Sequence, residues 1–264
     1  MPRRAIPRSF CTNGSWLGCS KSRGISGERF GPAKRPLLHW TRSAWNFAPD
    51  IPGSTLTDTE PAQTEPGNAL LCGLSESVQG FPALPGVRRE IEKVRAVTGD
   101  AEVLLDRKFT TDNLRSVFRD RGCSLALMAT HGVFRGSARE TFLVTYDGRL
   151  YMNQLEELIR LGKYREKQVD ILFLSACQTA LGDERAALGL GGLAVRTGVR
   201  SAIATLWPVD DRATSEIVTR FCVNLKAGSS KAEALQNARK KLMDTPGYSH
   251  PAYWAPFLLI GSRL

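Results

Sequence analysis

No stretch of this 264-residue chain approaches the ~20 apolar residues needed to span a bilayer; uncharged runs such as 201–209 and 251–260 fall well short. No transmembrane segment is expected. The basic start, Met1–Phe10, is not followed by the apolar core of ~7–15 residues that a secretory signal carries, although its Arg- and Ser-rich, acid-poor character imitates a transit peptide. There is no C-x-x-C pair and no Cys/His cluster at zinc-ligand spacing. The six cysteines (Cys11, Cys19, Cys72, Cys123, Cys177 and Cys222) are scattered, and a chain this long builds a core without disulfide staples. A reducing, cytoplasmic setting follows as the expectation. Apolar residues at 42% and charged residues at 23% exclude collagen-like, coiled-coil and wholly disordered chains.

Net charge is +10, and its distribution carries more meaning than its size. Residues 1–50 hold nine Lys and Arg against Glu28 and Asp50. A basic arm can neutralise phosphates, yet this one lacks the interleaved aromatics of a base-stacking platform. A solvated arm is the simpler reading, and a nucleic-acid partner is not expected. Eight of the 14 prolines fall within residues 1–69. No helical or alternating apolar pattern persists there, so 1–69 reads as a disordered basic arm.

From Leu70 the texture changes to alternating strands and helices. Leu70–Leu74 reads as a short buried strand, and Val87, Ile91, Val94 and Val97 recur at helical spacing. A strand at Val103–Leu105 precedes a helix opened by Thr111 as N-cap candidate. Ser124–Thr130, Asp170–Ser175 and Ser201–Leu206 are apolar on both faces, as central parallel strands are. Phe142–Tyr146 is a further strand turned by Asp147-Gly148. Helices are expected around Leu155–Ile159, over Leu188–Arg196, and at 211–225 and 230–243, with a last strand at Phe257–Ile260. This alternation builds an α/β fold with a mostly parallel central sheet covered by helices on both faces.

Sites in open α/β sheets form beyond the carboxyl ends of the central strands. Two such ends are chemically loaded. Ala129-Thr130-His131-Gly132 places an imidazole at one, and Ser175-Ala176-Cys177-Gln178-Thr179 places a thiol at another, 46 residues on. A thiol nucleophile needs a partner that takes its proton and later protonates the leaving amine. Histidine does both. The unshielded N–H of Gly132 could join that of Cys177 in an oxyanion hole. Taken singly, each side chain reads as a loop histidine or a small core hydrophobe; together, at two strand ends, they favour catalysis. His250 reads as packing with Tyr253 and Trp254, Cys123 and Cys222 as buried structural thiols, and Cys11 and Cys19 as passengers of the arm. Gly189, Gly191 and Gly192 lack the spacing of a phosphate-binding loop.

Thr130-His131-Gly132, Leu174–Thr179, Thr205–Asp211 and His250–Phe257, with Gly73–Glu76 and Gln79–Pro85 upstream, resemble a bacterial CHAT domain over about residues 70–264. That family is a caspase-like cysteine peptidase module related to separase. The resemblance implies a caspase-like fold, His131 as general base and acid, Cys177 as nucleophile, and a protein or peptide substrate. It calls for no metal and no organic cofactor. Separase-type peptidases place acids near a similar Leu-Trp-x-Val-x-Asp stretch, which implies that Asp210 and Asp211 hold a basic residue before the cut. The same two acids also suit a helix N-terminus at 211. Metacaspase-like relatives carry an acid where this chain has Ser175. CHAT domains usually begin with further strands, which the pattern of 1–69 does not supply. The resemblance thus also admits a catalytically inactive or latent CHAT module that binds a regulatory protein partner.

Overall fold

The computed structural model describes residues 68–134, 140–163, 168–175, 198–207 and 209–263, all within the unit Asp58–Leu264. Outside them lie the expected arm apart from its last two residues, the expected helix 188–196 with Gly189, Gly191 and Gly192, and Cys11, Cys19 and Cys177.

The chain runs β1 (Ala69–Gly73), α1 (Gly86–Thr98), β2 (Ala101–Leu105), α2 (Thr111–Asp120), β3 (Leu125–Ala129), β4 (Gly132–Val133), β5 (Phe142–Val144), β6 (Arg149–Tyr151) and α3 (Met152–Lys163). It continues through β7 (Ile171–Leu174), β8 (Ser201–Thr205), α4 (Asp211–Lys226), α5 (Lys231–Met243), α6 (Pro251–Trp254) and β9 (Phe257–Gly261). Six strands form one sheet in the order β2-β1-β3-β7-β8-β9. Its first five strands are parallel, and β9 runs antiparallel to β8. A second, antiparallel sheet of β4, β5 and β6 branches from the end of β3.

Period-two alternation divides each central strand between two cores. Leu71, Leu127, Phe173 and Ile203 face one side, where α1, α4 and α5 contribute Val87, Ile91, Ile217, Phe221, Leu235 and Leu242. Leu70, Ala126, Met128, Leu172 and Leu174 face the other, against Leu114 and Phe118 of α2, Leu143 of β5 and Leu155 of α3. Helices therefore cover both faces of a mostly parallel sheet, the expected architecture. Cys123 and Cys222 are buried, and burial pushes both thiols up to about 12. No helix among the described residues is long and apolar enough to cross a membrane.

Differences from the expected elements are local. The cap of α2 is Thr110, whose hydroxyl accepts from the Asn113 N–H at 3.3 Å, and Thr111 is already helical. The strand expected to reach Tyr146 ends at Val144, because Thr145 and Gly148 close a turn on one another. The helix α6 and the two-residue β4 are too short to leave a periodic signature.

One ion pair is buried at the amino end of the sheet. Ser230 opens α5 with a capping box to Glu233, and the next residue, Lys231, is 2% exposed. Its ammonium donates to Asp170 Oδ1 at 2.7 Å, just before β7. Removing the carboxylate leaves the Lys231 charge buried without it, at a cost of about 3–5 kcal/mol, whereas replacing both by apolar groups is often neutral. Asp170→Leu is expected to lower stability by that amount in urea denaturation, and Lys231→Met with Asp170→Leu to recover most of it.

Candidate functional site

The chain leaves β3 through Thr130 and His131 and turns at once into the small sheet. The Thr130 hydroxyl donates to the Val144 carbonyl at 2.6 Å, and the Val144 N–H donates to the His131 carbonyl at 2.8 Å. Gly132 faces Leu143 in the next register position. Hydrogen-bonded and non-hydrogen-bonded pairs alternate along an antiparallel ladder, which directs the Gly132 N–H away from β5.

The imidazole of His131 is 9% exposed and fixed on two sides. Its Nε2 lies 2.8 Å from the Pro82 carbonyl oxygen, and its ring stacks on Phe81 at 5.1 Å and 29°. A carbonyl only accepts, so Nε2 carries hydrogen and Nδ1 is the basic nitrogen of the neutral ring. Sequence reasoning found His131 but gave Phe81 and Pro82 no role in holding it.

Those two residues belong to the loop between β1 and α1, which is tied to the sheet through Asp106. Asp106 adopts φ 51°, a left-handed conformation that favours Asp over bulkier residues. Its carboxylate accepts from the Ser75 N–H at 2.6 Å, the Ser75 hydroxyl at 2.8 Å, the Glu76 N–H at 3.3 Å and the Arg88 guanidinium at 2.7 Å. Farther along, Gln79 and Gly80 take positive φ, and the Ser77 hydroxyl and Phe81 carbonyl join at 2.7 Å. The loop thus arrives at His131 with its carbonyl presented.

Beside β3, the Ser175 N–H donates to the Met128 carbonyl at 3.0 Å as β7 ends. Ser175 is the last residue described before 176–197, so the placement of Cys177 lies outside the described residues. At the end of β8, Leu206 and Trp207 are exposed, and the Trp207 indole donates to the Ala252 carbonyl at 3.1 Å. Asp210 caps α4, accepting from the Arg212 and Ala213 N–H groups at 3.0 and 3.1 Å. Asp211 occupies the first turn of α4 and is exposed. His250 caps α6, its Nδ1 accepting from the Ala252 N–H at 3.2 Å. Among the described residues, no group of three or more His, Cys, Asp or Glu is placed to hold a metal ion.

One further acid, like Asp106, was not singled out in the sequence. Glu90 is 4% exposed, on the core-facing stripe of α1 with Val87, Ile91 and Val94. Its position at i+3 from Val87 and i+4 before Val94 was the available signal. Burial pushes its carboxyl up from 4.5 to about 8, and the charge of Asp211 adds to the rise. A Ser175 hydrogen bond and the charge of Lys93 oppose it.

Comparison with known proteins adds the following. Residues 31–262 match the CHAT domain family model. Tetratricopeptide repeat protein 28 is 35% identical over 65 residues in Homo sapiens, covering 25% of this chain and 3% of that protein. Its Mus musculus counterpart is 35% identical over 98 residues, covering 36% and 4%. The chain therefore corresponds to a small part of these curated relatives. Among solved structures, the complex of Porphyromonas gingivalis RgpB pro- and mature domains superposes with a TM-score of 0.51 at 14% identity, over 76% of this chain and 48% of that one. The Arg specific cysteine proteinase gingipain R gives 0.45 at 13% over the same shares. The first of these likenesses concerns the fold alone.

Two outcomes are expected from the site's acids. Asp106→Asn keeps the backbone preference but loses the charge-assisted bonds to Ser75 and Arg88. It should cost about 1.5–3 kcal/mol and shift the His131 ring resonances in NMR. Glu90 keeps its proton to about pH 8 when folded but releases it near 4.5 when unfolded. Stability therefore falls as pH rises from 4.5 to 8 and is level above 8. Glu90→Gln should match the parent below pH 4.5 and exceed it in Tm increasingly up to pH 8.

Proposed function

The chain belongs to the CHAT domain family, and from that membership together with the strand-end geometry we propose that it is a cysteine endopeptidase cutting after a basic residue, with His131 and Cys177 as its dyad. The observation that carries the reading is the His131 ring, held through Nε2 by the Pro82 carbonyl at the end of β3. Its Nδ1 is left as the base. β7 runs beside β3 in parallel, and Cys177 follows Ser175 by two residues, at most about 7 Å of extended chain.

In this reading the chemistry is acyl transfer. His131 Nδ1 takes the thiol proton as Cys177 Sγ attacks the scissile carbonyl carbon, and a C–S bond forms. The carbonyl oxygen becomes an oxyanion, which accepts from the N–H groups of Gly132 and Cys177. Support for the first donor is the outward direction of the Gly132 N–H from β5. The tetrahedral species collapses as the C–N bond breaks, and the imidazolium passes its proton to the departing amine. Water, deprotonated by the same nitrogen, then releases the acyl group and restores the thiol. The Pro82 bond prevents the ring from turning between these steps.

The preference for a basic residue is supported by the acids around the start of α4. Asp210 spends one carboxylate oxygen on the helix cap. Asp211 is exposed beside it and is the better placed of the two to meet a cation. An Arg guanidinium and a carboxylate pair in bidentate fashion, which adds selectivity to attraction.

Covalent capture tests the proposal. Peptide electrophiles bearing Arg, Lys, Asp or Leu before the reactive group are incubated with the protein, and the adduct is located by mass spectrometry. The Arg probe is expected to label Cys177 fastest, Cys177→Ala to abolish labelling, and His131→Ala to slow it about 10²–10⁴-fold. Fastest capture by the Asp or Leu probe overturns the basic preference while retaining the peptidase. Absence of any adduct in folded protein overturns the peptidase and leaves a CHAT module that binds a partner without cutting it.

A further inference from the structure

The dyad gives Glu90 no task, yet its position is costly. A buried carboxyl in an apolar stripe loses its hydration, and among the described residues its Oε1 has no hydrogen-bond partner. An aliphatic residue at 90 would continue the stripe of Val87, Ile91 and Val94 without that cost.

What surrounds Glu90 points toward a ligand of positive charge. The helices α1 and α4 begin in contact: a Cβ added to Gly86 would stand 2.8 Å from Asp211 Cβ and 3.1 Å from its Oδ2. The exposed Asp211 carboxylate therefore lies over the first turn of α1. Glu90 follows Gly86 by four residues, one turn deeper on the same face. Ser175, where β7 ends, hydrogen-bonds Glu90 from the sheet side. Cys222 of α4 is a thiol kept neutral by burial, and the charge of Glu90 is among the causes that raise it. Of the cations, Lys93 of α1 acts on Glu90 but lies 3.8 Å from Glu216. The exposed Asp211 carboxylate and the buried Glu90 one helical turn beneath it thus set two acids at one corner, beside the strand end that precedes the proposed nucleophile by two residues.

We propose that Glu90 and Asp211 together bind the cationic side chain of the substrate, and that Glu90 gives up its proton to solvent as the cation enters. The location of the substrate rests on the peptidase reading; the binding itself does not require Cys177. A guanidinium is the best match, because its planar set of N–H donors can serve Asp211 and the unpartnered Glu90 oxygen at once. The guanidinium keeps all its protons, so one proton leaves for each cation bound while Glu90 is neutral. Because the empty carboxyl holds its proton to about pH 8, affinity should rise by up to about tenfold per pH unit below 8 and level off above it.

The test is calorimetric titration of full-length Cys177→Ala with N-acetyl-arginine methylamide between pH 5.5 and 8.5. Repeating it in buffers of different ionisation enthalpy counts the protons released. The blocked ligand does not titrate in this range, and its norleucine analogue controls for contacts to the stem. The expected result is release approaching one proton per ligand at pH 6.5. Adding Glu90→Gln should abolish the release and the pH dependence and weaken binding at pH 8. Adding Asp211→Asn should weaken binding yet keep the release. Glu90→Asp serves as a second variant that retains the titrating group. Arginine binding without proton release, or binding unchanged by Glu90→Gln, overturns the proposal. So does absence of arginine binding at every pH, even where Cys177 is captured by a neutral probe. Proton-linked binding without capture of Cys177 in the parent protein would instead uphold the cation site and remove the dyad.

Discussion

The parallel pairing of β3 with β7 is the constraint on which the site depends. Leu125 through Met128 lie opposite Ile171 through Leu174, and the Ser175 N–H extends the ladder to Met128. All eight side chains are buried, alternately in the two cores, so a slip of one residue would exchange the contents of the two faces. Fixed register brings the chain that becomes His131 and the chain leading to Cys177 to the same end of the sheet. On the other side of β3, β1 places Gly73 opposite Ala129, and Leu74 donates to the Ala129 carbonyl. The loop that carries Phe81 and Pro82 therefore starts beside the histidine it holds.

Each acid in the structure takes its role from its surroundings. Asp106 collects backbone, hydroxyl and guanidinium donors and acts as an anchor. Asp210 satisfies two helix N–H groups. Asp170 faces the ammonium of Lys231 at the opposite end of the sheet, where nothing in the proposed chemistry takes place. Glu90 differs from all of these. Like Asp106 and Asp170 it is withdrawn from water, but among the described residues one of its oxygens has no hydrogen-bond partner. The other buried acids are satisfied and this one is left short near an exposed carboxylate, and the proposed cation would supply the missing bond.

The proposed mechanism and the cation site also share one piece of architecture. Ser175 ends β7, contacts Glu90 from the sheet side and precedes Cys177 by two residues. Gly86 permits α1 and α4 to begin in contact, which brings Asp211 to the same corner. Recognition of a charged side chain and attack on the adjoining carbonyl would then be referred to one short segment of backbone. That is the condition for holding a scissile bond in a defined position.

The sequence by itself determined the sheet strands, the principal helices and the histidine. Runs such as Leu125–Ala129, Ile171–Leu174 and Ala202–Ala204 are apolar without interruption, and a strand buried on both faces requires that. His131 was legible because it stands at the end of such a run. Thr110 and Thr111 were interchangeable by composition, and only the direction of the Thr110 hydroxyl made it the cap. The bond from His131 to Pro82 joins residues 49 apart. Glu90 meets Ser175 and Asp211 from still farther along the chain. Periodicity records which face of an element is buried, and it placed Glu90 on the inner face of α1. It does not record which distant side chain will occupy the space opposite. That is decided when β1, β3 and β7 align and α1 and α4 close over them, because only then do charges far apart in sequence share a region of low dielectric.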